Sequence, residues 1–264
     1  HNTGGLANRI KNIVACFRLD KDVEVHWINI DKFDSLNYHL FNCPYYELFS
    51  FPKLADNLEK GKAYPVYELD KLLIGPEDGI PENFAQFDSK CTFKKYKYTD
   101  ELNRNIDFEY HRIPENMKNL YSYLFSQVRL NMELQKKIED FYNKYMKNII
   151  VVSVHIRSWN RDNEDGRKHL HNIDKFIETM LDYKKLHFFV TSDSQEVIEK
   201  VKKEVPNVIT YDRETDRKSS RTNPEGLKED LIELYLLGRG NMLIGSHYSS
   251  YSEVAWYLMG CKEV

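Results

Sequence analysis

The residues NIIVVSVHI at 148–156 form a short run that is almost continuously apolar and rich in β-branched side chains. A strand buried on both faces reads this way, whereas a half-exposed strand alternates. Beyond it, Ile173, Phe176, Ile177, Met180 and Leu181 recur at helical spacing. LHFFVT at 186–191 predicts a second strand, 195–204 a second helix, and NVITY at 207–211 a third strand. A polar, arginine-rich loop over 212–223 follows, then a helix over 224–237, a strand over 242–245 and a last helix from Ser250. Strands alternating with helices mean βαβ units and a parallel sheet, so the class is α/β. Right-handed crossovers place the loops after the strand C-termini along one edge, where ligands of such sheets bind.

The first half is less regular. Leu6, Ile10, Ile13, Val14 and Phe17 mark an amphipathic helix opening out of Gly4-Gly5, and VEVHWIN at 23–29 alternates like a strand. Between Asp31 and Arg112 aromatics and prolines are scattered without a clear period. Helices over 114–126 and 132–147 lead into the second half. The organisation read from this is an incomplete Rossmann-like domain at 1–113, a helical connection at 114–147, and a complete Rossmann-like domain at 148–264. The glycine loop begins at once after His1 with no strand before it, which reads as a tag remnant or truncation point.

The chain has 264 residues, enough for one large or two small domains at about 100–200 residues each. Its 41% apolar content can fill a core, and a net charge of −3 argues against a protein held on duplex nucleic acid by bulk basicity. No apolar run approaches the ~20 residues of a membrane helix, and no basic-then-apolar signal pattern opens the chain. Cys16, Cys43, Cys91 and Cys261 lie far apart without metal-binding spacing, and read as buried thiols of a reducing cytoplasm.

Three loops carry chemistry. In the first, Ser153, His155 and Arg157 lie on one strand face and emerge at its end, where a guanidinium suits a phosphate through its planar fork of donors. Pairing of Arg157 with an acidic neighbour in a solvated loop is the competing reading. The second, Thr191-Ser192-Asp193-Ser194, is explained by helix capping alone, although an acidic strand end can also accept from a ribose or base. In the third, Ser246, Ser249, Ser250 and Ser252 surround a glycine, a strand end and a helix start. Ser250 to Glu253 fits a capping box, and free N–H groups with adjacent hydroxyls suit a diphosphate. The loop holding Gly5, Asn8 and Arg9 has the same character but is not GxGxxG, and no acidic ribose partner follows, which disfavours a nicotinamide cofactor. His169 and His171 near Glu164 and Asp165 offer a metal site, but two histidines two apart share a face only on a strand. The loop containing Arg213, Arg217, Lys218 and Arg221 reads as solvated charge, with closure over a nucleotide as the alternative.

GGLANR at 4–9, VSVHIR at 152–157, FFVTSDS at 188–194 and LIGSHYSSYSEVAWYL at 243–258 together resemble the motifs of GDP-fucose-dependent fucosyltransferases. The resemblance is to the α1,6 branch that acts on N-glycan cores and nodulation factors, with α1,2- and protein O-fucosyltransferases as relatives. It implies a GT-B-like fold, two Rossmann-like domains facing across a cleft, the second holding GDP. It further implies an inverting transfer of L-fucose from GDP-fucose to a hydroxyl of a glycan or glycoconjugate, with no cofactor and no metal. Arg157 would neutralise the β-phosphate, His155 would line the nucleotide pocket, and Asp193 would contact guanine or ribose. Ser249 and Ser250 match the family's serine pair, and Gly5, Asn8, Arg9 and Ser252 join the donor site. The family's glutamate lies eight positions beyond the arginine, which is Asp165 here, with Glu164 next to it and Asp162 nearby as further candidates for the base. Ser158 stands where many relatives have a second arginine, and Asn160 where an acid is expected, so regiochemistry stays open. A different nucleotide sugar, or a non-catalytic sugar-nucleotide or glycan-binding protein on this fold, are the alternatives.

Overall fold

The structure is a computed structural model that describes residues 5–19, 24–25, 27, 29, 41–54, 115–158, 172–246 and 249–262. The chain divides into two compact units, 1–132 and 133–264. No helix among the described residues is long and apolar enough to cross a membrane.

In the first unit, α1 (Leu6–Leu19) buries Leu6, Ile10, Ile13 and Val14, the stripe its spacing predicts. Of the strand expected over 23–29 the described residues show β1 (Glu24–Val25). After α2 (Tyr45–Leu48) come β2 (Phe49–Phe51) and β3 (Lys53–Leu54), then α3 (Glu115–Gln127) and β4 (Arg129–Leu130). β1 pairs with β3 in parallel, and β2 with β4 antiparallel. The scattered aromatics of the sequence converge here: the Trp27 ring meets Phe41, Tyr45 and Phe49 edge-on at centroid separations of 5.2, 5.2 and 5.8 Å. Its Nε1 donates to the Cys43 carbonyl at 2.9 Å, giving the half-buried indole its hydrogen-bond partner.

The second unit follows the sequence pattern closely. It contains α4 (Met132–Tyr145), β5 (Val151–Ile156), α5 (Ile173–Asp182), β6 (His187–Ser192), α6 (Gln195–Glu204), β7 (Val208–Ile209), α7 (Pro224–Leu237), β8 (Met242–Ile244) and α8 (Ser250–Leu258). The four strands form one parallel sheet in the order β7-β6-β5-β8, with β5 central and buried throughout. Val152, Val154, Ile156, Phe188 and Val190 pack on one face against Ile177 and Met180 of α5 and Val197, Ile198 and Val201 of α6. The opposite face carries Ser153, His155, Phe189 and Thr191. There Phe141 of α4 packs edge-on to Phe189 at 5.8 Å, and the Ser153 hydroxyl donates to the Leu237 carbonyl of α7 at 2.7 Å.

Local chemistry accounts for the element ends. Asn172 and Ser194 accept from the N–H groups of Lys175 and Val197, and Asn223 accepts from Gly226 with Pro224 opening α7. β7 is shorter than the run 207–211 and begins after Asn207, which sits at φ 58° in a turn conformation. A Cβ on Gly226 would lie 2.5 Å from the Ser220 Cα, so only glycine lets α7 meet the 3₁₀ turn Ser220–Thr222.

Candidate functional site

The register of the sheet assembles the site. His155 pairs with Thr191, Ile156 with Ser192, and Val154 with Ile244, so Arg157, Asp193 and Ser246 leave three adjacent strands at one edge. The Arg157 Nη1 forms a short ion pair with the Asp193 Oδ2, and both side chains are 11% exposed. The other carboxylate oxygen of Asp193 accepts the Ser158 N–H at 2.7 Å. Asp193 is thereby engaged at both oxygens, and its visible partner is the guanidinium 36 positions away rather than a solvated surface.

The serines form an inner layer. Ser246 Oγ accepts the Arg157 N–H at 2.8 Å and donates to the His155 carbonyl at 3.0 Å. The Ser246 N–H donates to Ser252 Oγ at 3.0 Å, and Ser252 Oγ lies 2.7 Å from His155 Nδ1. The Tyr251 ring covers the imidazole at a centroid separation of 4.7 Å, and its hydroxyl donates to the Asp230 carbonyl. Burial pushes His155 down to about 3; Arg157 adds to that shift and Asp193 opposes it, so the ring is neutral. Thr191, beside His155 on the same face, has a buried hydroxyl with no hydrogen-bond partner among the described residues.

The capping box expected from Ser250 to Glu253 is not what starts α8. Ser249 is the N-cap and makes no side-chain capping bond, and Ser250 is the first helical residue. The third helical position falls on Ser252, whose hydroxyl is drawn inward to Ser246 and His155. Ser249 is buried and Ser250 half-buried at the sheet edge.

The arginine-rich loop is not solvated as a whole. Arg217 is buried, and its guanidinium donates to both Glu233 oxygens at 2.8 and 2.9 Å and to the Ser192 carbonyl at 2.8 Å. Arg213, whose side chain is also buried, reaches Asp230 at 2.7 Å and Glu233 at 3.0 Å. Glu229 accepts the backbone N–H groups of Glu214 and Thr215 at 2.6 and 3.2 Å. Lys218 alone of the basic residues in this cluster is strongly exposed, pairing with Glu196 at 3.5 Å. Buried ions need such partners, which α7 supplies. Arg217 therefore holds the β6 end one residue before Asp193, a role that the composition of the loop does not reveal.

In the first unit, Gly5 is buried at the start of α1, where its carbonyl accepts the Arg9 N–H at 3.1 Å. Asn8 lies half-buried on α1. The Arg9 guanidinium sits 4.0 Å from the Phe41 ring centroid and 4.6 Å from that of Trp27, and its burial lowers it to about 10. The guanidinium thus packs against two aromatic rings of the first unit. Asp162, Glu164, Asp165, His169 and His171 lie outside the described residues. Among the described residues no group of three or more His, Cys, Asp or Glu side chains is placed to hold a metal ion. Of the cysteines read as buried thiols, Cys43 is buried, Cys16 and Cys261 are half-buried, and Cys91 lies outside the described residues.

No protein-family profile and no curated protein matches the chain. Solved structures do. The NodZ α-1,6-fucosyltransferase co-crystallized with GDP is similar over 95% of this chain and 88% of its own, at 16% identity and a TM-score of 0.51. A second crystal structure, of NodZ α-1,6-fucosyltransferase soaked with GDP-fucose, aligns over 56% of this chain at 23% identity and a TM-score of 0.42. POFUT1 in complex with GDP aligns over 53% at 14% identity and a TM-score of 0.36. The chain spans about half the length of these last two, 48% and 46%. At these identities the likeness is one of fold: a mixed α/β chain with a parallel sheet, similar to a fucosyltransferase.

Proposed function

We propose that this chain is a fucosyltransferase that moves L-fucose from GDP-fucose to a hydroxyl of a glycan or glycoconjugate, with inversion and without a metal ion. The reading includes a GT-B-like arrangement, with 1–113 on the acceptor side, 114–147 as the helical connection and 148–264 holding the donor. The observation that carries it is Arg157, fixed by Asp193 at the C-terminal edge of the parallel sheet beside the start of α8. Ligands of doubly wound sheets bind at that edge, and helix N-termini there favour diphosphates. The fold likeness to a protein co-crystallized with GDP, and the four sequence motifs that resemble those of GDP-fucose-dependent enzymes, support the same donor.

In a single displacement the acceptor oxygen forms a bond to the sugar's anomeric carbon while the bond from that carbon to the β-phosphate oxygen breaks. The electron pair leaves with GDP, and the acceptor proton passes to a carboxylate, assigned from sequence to Asp165 or Glu164. Charge grows on the β-phosphate along the way, so a guanidinium held in place stabilises the transition state more than the ground state. Asp193 supports this by holding one end of the Arg157 guanidinium at the sheet edge.

A thermal-shift panel of GDP, GDP-fucose, UDP, CDP and ADP tests the reading. A ligand at about 100 times its Kd adds roughly 2.7 kcal/mol, so GDP and GDP-fucose should raise the melting temperature well above the other nucleotides, with or without EDTA. A larger UDP shift would move the assignment to another nucleotide sugar. GDP binding without turnover on an acceptor panel would make the chain a binding protein, and activity abolished by EDTA and restored by manganese would defeat the metal-free mechanism.

A further inference from the structure

We propose that Ser246 and Ser252 are positioning residues: with His155 they close a hydrogen-bonded ring that holds His155 as its Nε2–H tautomer and pins the Arg157 backbone at the sheet edge. The proton directions follow from the partners. A carbonyl only accepts, so Ser246 must donate its hydroxyl proton to the His155 carbonyl, which leaves its oxygen to receive the Arg157 N–H. Ser252 Oγ receives the Ser246 N–H, and the acceptor within reach of its own proton among the described residues is His155 Nδ1. If Nδ1 carried the proton instead, Ser252 would take two donors and leave its own proton, fully buried, without an acceptor among those residues. A neutral imidazole with an accepting Nδ1 carries its proton on Nε2.

The surrounding structure is fitted to this ring. At Gly245 a Cβ would stand 3.0 Å from the Ser252 Cβ and 3.2 Å from its Oγ, so the glycine permits the close approach of α8 to the β8 end. Tyr251 closes the ring from the helix side. Burial keeps the imidazole neutral, consistent with its lowered value of about 3. Ser252 therefore acts on a bound donor through His155 and Arg157. Its direct contact with the nucleotide, expected from the motif, gives way to an interior role. His155 in turn offers a neutral N–H rather than a charge.

The inference about turnover rests on the fucosyltransferase reading; the tautomer does not. Long-range ¹H–¹⁵N correlation spectra of the full chain labelled at histidine, with His155 assigned by loss of its signals in His155→Gln, decide the first part. The expected result is a pyridine-like Nδ1 and a pyrrole-like Nε2 throughout about pH 5 to 8, where a free histidine titrates. Ser252→Ala should collapse that pattern toward mixed tautomers. It should also lower kcat by about 10- to 100-fold, the scale of a small misplacement of a reacting group, while GDP affinity changes far less. Ser246→Ala should lower kcat similarly. A wild-type spectrum with a protonated Nδ1 overturns the proposal even if the Ser252 variant does not fold. So does a folded Ser252→Ala with unchanged ring nitrogens and unchanged kcat. Absence of any GDP response in the wild type would instead count against the fucosyltransferase reading and leave the spectral result standing.

Discussion

Arg157 differs from an ordinary surface arginine in having its guanidinium paired with a largely buried carboxylate while its backbone N–H is held by Ser246. A lysine at this position would keep the charge but lose the fork. Arg157→Ala should therefore lower kcat by about 100-fold or more, on the scale of removing one preorganised transition-state donor, and Arg157→Lys should recover little of it. Steady-state kinetics with GDP-fucose checks both, and near-normal kcat for the lysine variant would remove the bidentate role. Asp193→Asn keeps an acceptor for the Ser158 N–H but weakens the grip on Arg157. Turnover should fall while the protein loses about 1–3 kcal/mol of stability in urea unfolding, the cost of an interrupted charge-assisted pair.

His155 gives a pH signature of known sign. Its folded value of about 3 lies below the ordinary 6.5, so between these values the unfolded chain binds a proton that the folded chain refuses. Its contribution is fully present above pH 6.5 and is lost as pH falls toward 3, at up to about 1.4 kcal/mol per pH unit. Urea midpoints measured against pH should show this slope in the wild type and a shallower one in His155→Gln.

Between elements, the dominant feature is the ionic cluster joining the loop after β7 to α7. Two guanidinium groups, Arg213 and Arg217, face Glu229, Asp230 and Glu233, so removing one arginine leaves buried carboxylates short of positive charge. Arg217→Ala should cost about 3–5 kcal/mol in chemical denaturation. Because Arg217 also holds the Ser192 carbonyl beside Asp193, the same variant should lower turnover once corrected for the folded fraction. A double change, Arg217→Met with Glu233→Leu, should recover part of the stability but not the turnover, since apolar packing can replace a buried pair but cannot hold a carbonyl.

For the whole molecule, the two units should respond differently to donor. If the second unit holds GDP, hydrogen exchange of the intact chain should show protection concentrated at 153–158, 192–195 and 246–253. Protection confined to the first unit would overturn the assignment of the donor to 148–264. Exchange reads this directly because local opening is suppressed where a ligand binds.

The order of elements in the second unit was legible because its signals are local. Buried strands are apolar runs, amphipathic helices repeat every three to four residues, and caps lie within three residues of the N–H groups that they serve. The same locality made Arg157 stand out at a strand end, whereas Asp193 was marked only by the family resemblance. Partnership is not local. His155 meets Ser252 across 97 positions, Arg157 meets Ser246 across 89, and Arg217 finds Glu233 16 residues on, on a different element. A serine beside a helix start therefore looks the same in sequence whether it caps the helix, meets a ligand or turns inward. An arginine in a polar loop looks solvated even when three carboxylates on α7 bury it. Sequence alone determined the αβ alternation, the parallel sheet and the edge at which the strand-end polar residues gather, since each follows from short-range periodicity and chain handedness. Only the tertiary structure decided which polar groups at that edge face inward, because burial and hydrogen-bond partners depend on residues that meet only after the chain has folded.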